Sequence, residues 1–199
     1  MAQLQPWQNF YMLLGGASAT LVGLMFIAIS LGSGWWTAAE RSTLNASFNA
    51  FMSPTFIHFV YVLVTAVVVL VPTLSEPVLG GFLVLTGLGS LAHVARNLPF
   101  LHDRYRARII DRSDVVWYSL MPSLGYILYL AAGAGLLRAA LLGTRPAQAL
   151  DALAAANVLL MVIGVRNAWD LVVFLVMRRA DGAPADRRGE AASRAGRAE

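Results

Sequence analysis

An all-α bundle of membrane-spanning helices is the fold class this sequence predicts, and three observations predict it. Hydrophobic residues make up 58% of the 199-residue chain and charged residues only 13%, whereas soluble domains carry about a quarter charged residues. A soluble chain of this length buries only about 70% of its surface, so lipid must cover what the few polar groups cannot. Five apolar stretches are also long enough to cross a hydrocarbon layer of about 30 Å, which takes roughly 20 helical residues. The arginines, finally, are segregated into particular loops.

The first span covers about residues 10–33 without a single charge, with Trp7 and Tyr11 at one interface and Trp35 and Trp36 at the other, as aromatic belts do. A cleaved signal peptide has a charged n-region and a shorter apolar run, so this segment reads as a retained helix. Thr37 and Glu40 fit a capping box for an amphipathic helix over about 38–51. On it Arg41, Asn45, Asn49 and Ser53 share one face, and Leu44, Phe48 and Phe51 another, so it lies along the interface or extends the next span. Ser53 and Pro54 then read as an N-cap and first helical residue of a second span over about 54–71. The third covers about 78–95, the fourth about 115–142 and the fifth about 152–177. Residues 1–179 thus form a transmembrane domain, and 180–199 a basic tail with too little apolar surface to order.

Orientation follows from arginine placement. Arg96, Arg104, Arg106, Arg108 and Arg112 follow span three, and Arg178, Arg179, Arg187, Arg188, Arg194 and Arg197 follow span five. The turn at 72–77 has no arginine, and the turn at 143–150 has only Arg145. With positive loops inside, five spans put the N-terminus outside and the C-terminus in the cytoplasm. The net charge of +4 is then a matter of topology. Nucleic-acid binding would need a folded basic surface, and the sequence shows none; Arg104, Arg106 and Arg108 suit anionic headgroups instead. All fifteen basic residues are arginine in a chain rich in Ala and Gly, which points to a GC-rich bacterial genome and hence to the bacterial cytoplasmic membrane. There is no cysteine, which removes disulfides, thiolate metal sites and cysteine nucleophiles together.

Two patterns stand out. Gly15, Ala19 and Gly23, broadened by Gly16 and Thr20, form a small-residue stripe on span one that admits another helix closely, either of this chain or of a second copy. The polar pattern is on span five, where Arg166 and Asp170 lie four apart beside Asn167. Charges at membrane depth are costly, face the bundle interior and pair. On a common depth scale His58 of span two and His93, Arg96 and Asn97 of span three fall in the same cytoplasmic half, with Arg138 alone in the outer half. Such a cluster suits an ion, proton or small-solute pathway, with Arg166 as anion-attracting charge and Asp170 or a histidine as proton carrier. It equally suits a satisfied polar core that only specifies helix packing. His58 and His93 also offer two imidazoles for a metal or a b-type haem, although no spacing motif supports either. No GxSxG, HExxH, P-loop or dinucleotide fingerprint occurs, and Gly80, Gly81, Gly87 and Gly89 sit in an apolar span as packing residues.

The opening Trp7-Gln-Asn-Phe10-Tyr11, the Gly15-Gly16-Ala-Ser-Ala-Thr20 run and its Gly23-Leu-Met-Phe26-Ile-Ala-Ile-Ser30-Leu31 ending resemble a set of small, uncharacterised, polytopic bacterial inner-membrane proteins. The Asn167-Ala-Trp169-Asp170-Leu171 run is similar to their last span. The resemblance implies an inner-membrane protein and no mechanism. Three functional expectations follow. The first is a homo-oligomeric channel or transporter for a small ion or solute, since five helices are scant for a monomeric transporter and an odd count denies inverted repeats. The second is a non-catalytic partner or regulatory subunit of another membrane complex, and the third a bis-histidine haem redox protein.

Overall fold

The computed structural model describes residues 7–33, 56–106 and 112–195. All elements among them are helical: α1 Gln8–Ser33, α2 Phe56–Val69, α3 Glu76–Arg106, α4 Arg112–Leu142 and α5 Ala147–Ala195. The predicted amphipathic helix over 38–51 and the Ser53-Pro54 start lie outside the described residues. Four helices are long and apolar enough to cross a membrane, and α2 is a shorter apolar helix, about 21 Å at 1.5 Å per residue. Their outer surfaces are apolar, with Leu13, Leu85 and Leu141 each more than 70% exposed. Side chains of that kind belong in hydrocarbon.

The termini of these helices follow from local chemistry. α2 gives way at Pro72, whose ring cannot donate, and α3 restarts with Leu79 N–H bonded to Ser75 O at 3.1 Å. α4 ends at Gly143, held at φ 63°, a left-handed conformation in which glycine carries no Cβ penalty. The Thr144 N–H closes that turn onto Ala139 O at 3.0 Å. Near its start α4 widens into a π-turn over Val116–Leu120. Met121 N–H bonds Val116 O, five residues back, just before Pro122, which has no N–H for an α-helical bond one turn back; one residue on, Ser123 Oγ also donates to Ser119 O at 2.7 Å. α5 runs on through Ala195, across the segment where composition predicts no order. Alanine and arginine are strong helix formers, and extending a helix avoids the cost of nucleating one.

Glycines set the packing. A Cβ on Gly133 would lie 2.7 Å from Gly80 O, and one on Gly87 2.8 Å from Leu130 Cγ, so α3 and α4 touch backbone to backbone. Gly81 and Gly89, grouped with them by sequence, have nothing within 4 Å. Helix pairs alternate in direction. Gly15 faces Ala66 across α1 and α2, Gly125 faces Leu160 across α4 and α5, and Gly164 faces Phe59 across α5 and α2. The interior is one apolar cluster built on Tyr11, Val62, Leu83, Tyr129, Leu153, Leu160 and Ile163, with a smaller group of Met25, Phe59 and Leu171 at one end. That end, where α1 finishes and α2 begins, is the lower end below; the end where α1 starts is the upper.

Candidate intramembrane polar site

Span-depth counting predicts seven polar residues converging in the lower half. The structure brings some of them inside and leaves others out. His58 and Asn167 are buried, each about 1% exposed. Phe59, next to His58, fills the space beside Gly164, where a Cβ would lie 2.6 Å from its ring. Asn167 follows one turn later on α5, so both polar side chains belong to the same layer of the bundle. The His58 ring stacks on Tyr126, centroids 6.3 Å apart. Tyr126 in turn meets Tyr61 edge-on at 5.8 Å, and Tyr61 Oη accepts from Ser90 Oγ at 2.9 Å.

His93, Arg96 and Asn97 are exposed. Asn97 Nδ2 donates to His93 Nε2 at 3.0 Å along the surface of α3. The reason is rotational: counting residues along a span leaves its rotation open, and α3 turns its Leu79–Leu83 face to the core and this face outward. His58 and His93 therefore do not face a common space. Among the described residues no group of three or more His, Asp or Glu is placed to hold a metal ion.

Arg166 and Asp170 pair at 2.8 Å, as their spacing predicts, but on the rim between α4 and α5, with side chains 34% and 40% exposed. The guanidinium lies over the Trp117 ring, 4.6 Å from its centroid. The π-turn before Pro122 carries that ring. A paired and stacked arginine is not a free anion-attracting charge.

Hydrogen-bonding capacity singles out the interior residues. Neither the oxygen nor the nitrogen of the Asn167 amide has a partner, and neither does His58 Nδ1. Each such atom costs about 1–3 kcal/mol when buried dry. Buried polar atoms of this kind are normally satisfied by water or by a ligand.

The upper half is not as bare as depth counting predicts. Arg138 is exposed there, but a buried network joins three helices. Tyr129 Oη donates to Asn157 Oδ1 at 3.0 Å, shares a hydrogen bond of 2.9 Å with Thr65 Oγ1, and Asn157 Nδ2 donates to Leu153 O at 2.8 Å. Threonine and tyrosine pass as span residues in a hydropathy reading, so the signal available was Asn157, an amide in an apolar run.

The small-residue stripe divides. Gly15 packs on Ala66, where a Cβ would sit 3.1 Å from the alanine Cβ. Ala19 and Gly23 are exposed with Gly16 and Thr20, and nothing lies within 4 Å of a Cβ on Gly16 or Gly23. At the end of α3, Arg106 is exposed and Arg112 Nε donates to Tyr105 Oη at 3.1 Å. The Arg104 side chain and Arg108 lie outside the described part.

Four apolar helices of spanning length and an apolar exterior are the features of α-helical membrane proteins. Comparison with protein-family models, with curated proteins and with solved structures finds no match for this chain, so the likeness noted from its opening residues stays a resemblance.

Proposed function

We propose that this chain crosses a bacterial cytoplasmic membrane five times, N-terminus outside, and passes a small polar solute or proton through a pore of which His58 and Asn167 form the inner binding position. The observation that carries this reading is the Asn167 amide, about 1% exposed with both of its polar atoms unpartnered. A group retained in an apolar core without hydrogen bonds is explained by something that enters and supplies them. Because Arg166 is committed to Asp170 and Trp117, the chemistry favours a neutral solute or a proton over a free anion. The ion pair then lines the mouth of the path. The exposed Gly16, Ala19, Thr20 and Gly23 face of α1 supports assembly of several copies, which adds the walls that five helices lack.

The same face favours the competing reading, a non-catalytic subunit whose α1 seats against a helix of another complex. Asn167→Leu separates the two. The change replaces an unpartnered amide by an apolar side chain of similar size, so a packing role predicts equal or greater stability and unaltered function. The pore reading predicts at least tenfold loss of proton or small-solute flux in proteoliposomes with the fold retained. Unaltered flux would end it.

A further inference from the structure

The upper network has a donor left over, and it lies in line with the inner position. The single Tyr129 proton goes to Asn157, so Thr65 is the donor in their shared bond. Tyr129 Oη then keeps one lone pair free. Tyr11 belongs to the same buried cluster, is 0% exposed, and its hydroxyl has no partner. One turn along α1 from it, Gly15 packs on Ala66, the residue next to Thr65. A molecule that accepts from Tyr11 and donates onward to Tyr129 would satisfy both the Tyr11 proton and the free Tyr129 lone pair. One water or a hydroxyl-sized neutral solute has that capacity; a halide has no proton to donate, and a metal cation would meet the Tyr11 proton.

Spacing along the helices separates this position from the lower one. Thr65 follows His58 by seven residues on one buried face of α2, and Asn157 precedes Asn167 by ten on α5, or about 10 and 15 Å of rise. Between them the same faces present Val62, Leu160 and Ile163, all 0% exposed. Along α2 and α5, therefore, a polar layer, a layer of buried apolar side chains and a second polar layer succeed one another.

We propose that Tyr11, Thr65, Tyr129 and Asn157 form an upper binding position for one water or a hydroxyl-sized neutral solute, and that Val62, Leu160 and Ile163 are the barrier between it and the inner position. The binding position stands on its own; the barrier rests on the transport reading above. Hydrophobic constrictions of this kind hold back permeation by staying dry.

The binding position is tested by the sign of one stability change. If the Tyr11 hydroxyl is bonded to a guest, Tyr11→Phe removes a satisfied hydrogen bond, and the protein in nanodiscs melts about 2–4 °C lower. If the hydroxyl is bare, phenylalanine removes a buried unpartnered group, and equal or higher melting overturns the proposal. Should the variant not fold, a density map of the wild-type protein decides: a peak within hydrogen-bonding distance of Tyr11 Oη supports the site, and an empty space overturns it. Native mass spectrometry distinguishes the guests, since a retained solute adds mass and an exchanging water does not.

The barrier is tested by flux in proteoliposomes. Val62→Ser and Ile163→Ser each wet the layer and are expected to raise proton or solute leak about tenfold. No rise, in a protein whose flux still depends on Asn167, overturns the barrier and leaves the transport reading standing. A wild-type protein without flux, unaffected by Asn167→Leu, ends the transport reading and the barrier together, while the melting result still decides the upper position.

Discussion

Replacing Tyr129 by phenylalanine removes one oxygen from the centre of the bundle and breaks two hydrogen bonds, to Thr65 and to Asn157. Double-mutant cycles in membrane proteins put one such interaction at about 0.6 kcal/mol, with a maximum near 1.7, and soluble proteins give about 1 ± 0.5. The total expected loss is therefore about 1–3 kcal/mol. For a chain of this size a loss of 1 kcal/mol lowers Tm by about 2–4 °C, so the variant should melt roughly 2–12 °C below wild type. The assay is thermal or denaturant unfolding in nanodiscs, followed by tryptophan fluorescence. A cycle makes it specific: Thr65→Val alone, Tyr129→Phe alone, and both together. If the hydroxyls bond as described, the double variant loses less than the sum of the singles by about 0.6–1.5 kcal/mol. Additivity within about 0.3 kcal/mol would show that no bond couples the two residues, and the upper polar layer would have to be redrawn.

Three further outcomes are expected. Gly133→Ala places a methyl group 2.7 Å from the Gly80 carbonyl oxygen; forcing α3 from α4 should cost about 1–3 kcal/mol, whereas Gly16→Ala, with open space around it, should leave monomer stability within about 0.5 kcal/mol. Because the Arg166–Asp170 pair is more than a third exposed, its net worth is at most about 1 kcal/mol, yet either charge left alone at membrane depth is costlier. Arg166→Gln with Asp170→Asn should thus be milder than Arg166→Gln or Asp170→Asn alone, and a double variant worse than both singles would contradict the pairing. For the topology, Ser75→Cys and Arg108→Cys should be labelled by an impermeant thiol reagent from opposite sides of the membrane, and labelling from one side would remove the five-span reading.

The helices themselves were legible in the sequence because a bilayer, as a solvent, makes one demand. Every backbone polar group must be bonded within the segment, so a charge-free run such as 10–33 is a helix whatever it packs against. Local chemistry likewise announced the breaks: Pro72 ended α2, and Gly143 closed α4 in a left-handed conformation that favours glycine. The i,i+4 pairing of Arg166 with Asp170 was written in spacing alone, since one helix carries both groups.

Which way each helix turns was decided only by the tertiary structure. Depth along a span follows from counting residues, but rotation about the helix axis is settled by which ridges find grooves. Gly80, Gly87 and Gly133 lock α3 against α4, and that contact carries His93, Arg96 and Asn97 to the outside while α2 turns His58 inward. The same rotation gathers Thr65, Tyr129 and Asn157, residues 28 and 64 apart in sequence, into one network that hydropathy averages into apolar spans. Sequence determined the helices, their breaks and their fitness for lipid, because those depend on neighbours along the chain. Tertiary packing decided which polar groups are inside and which of them lack a partner, because burial and hydrogen bonding depend on neighbours in space.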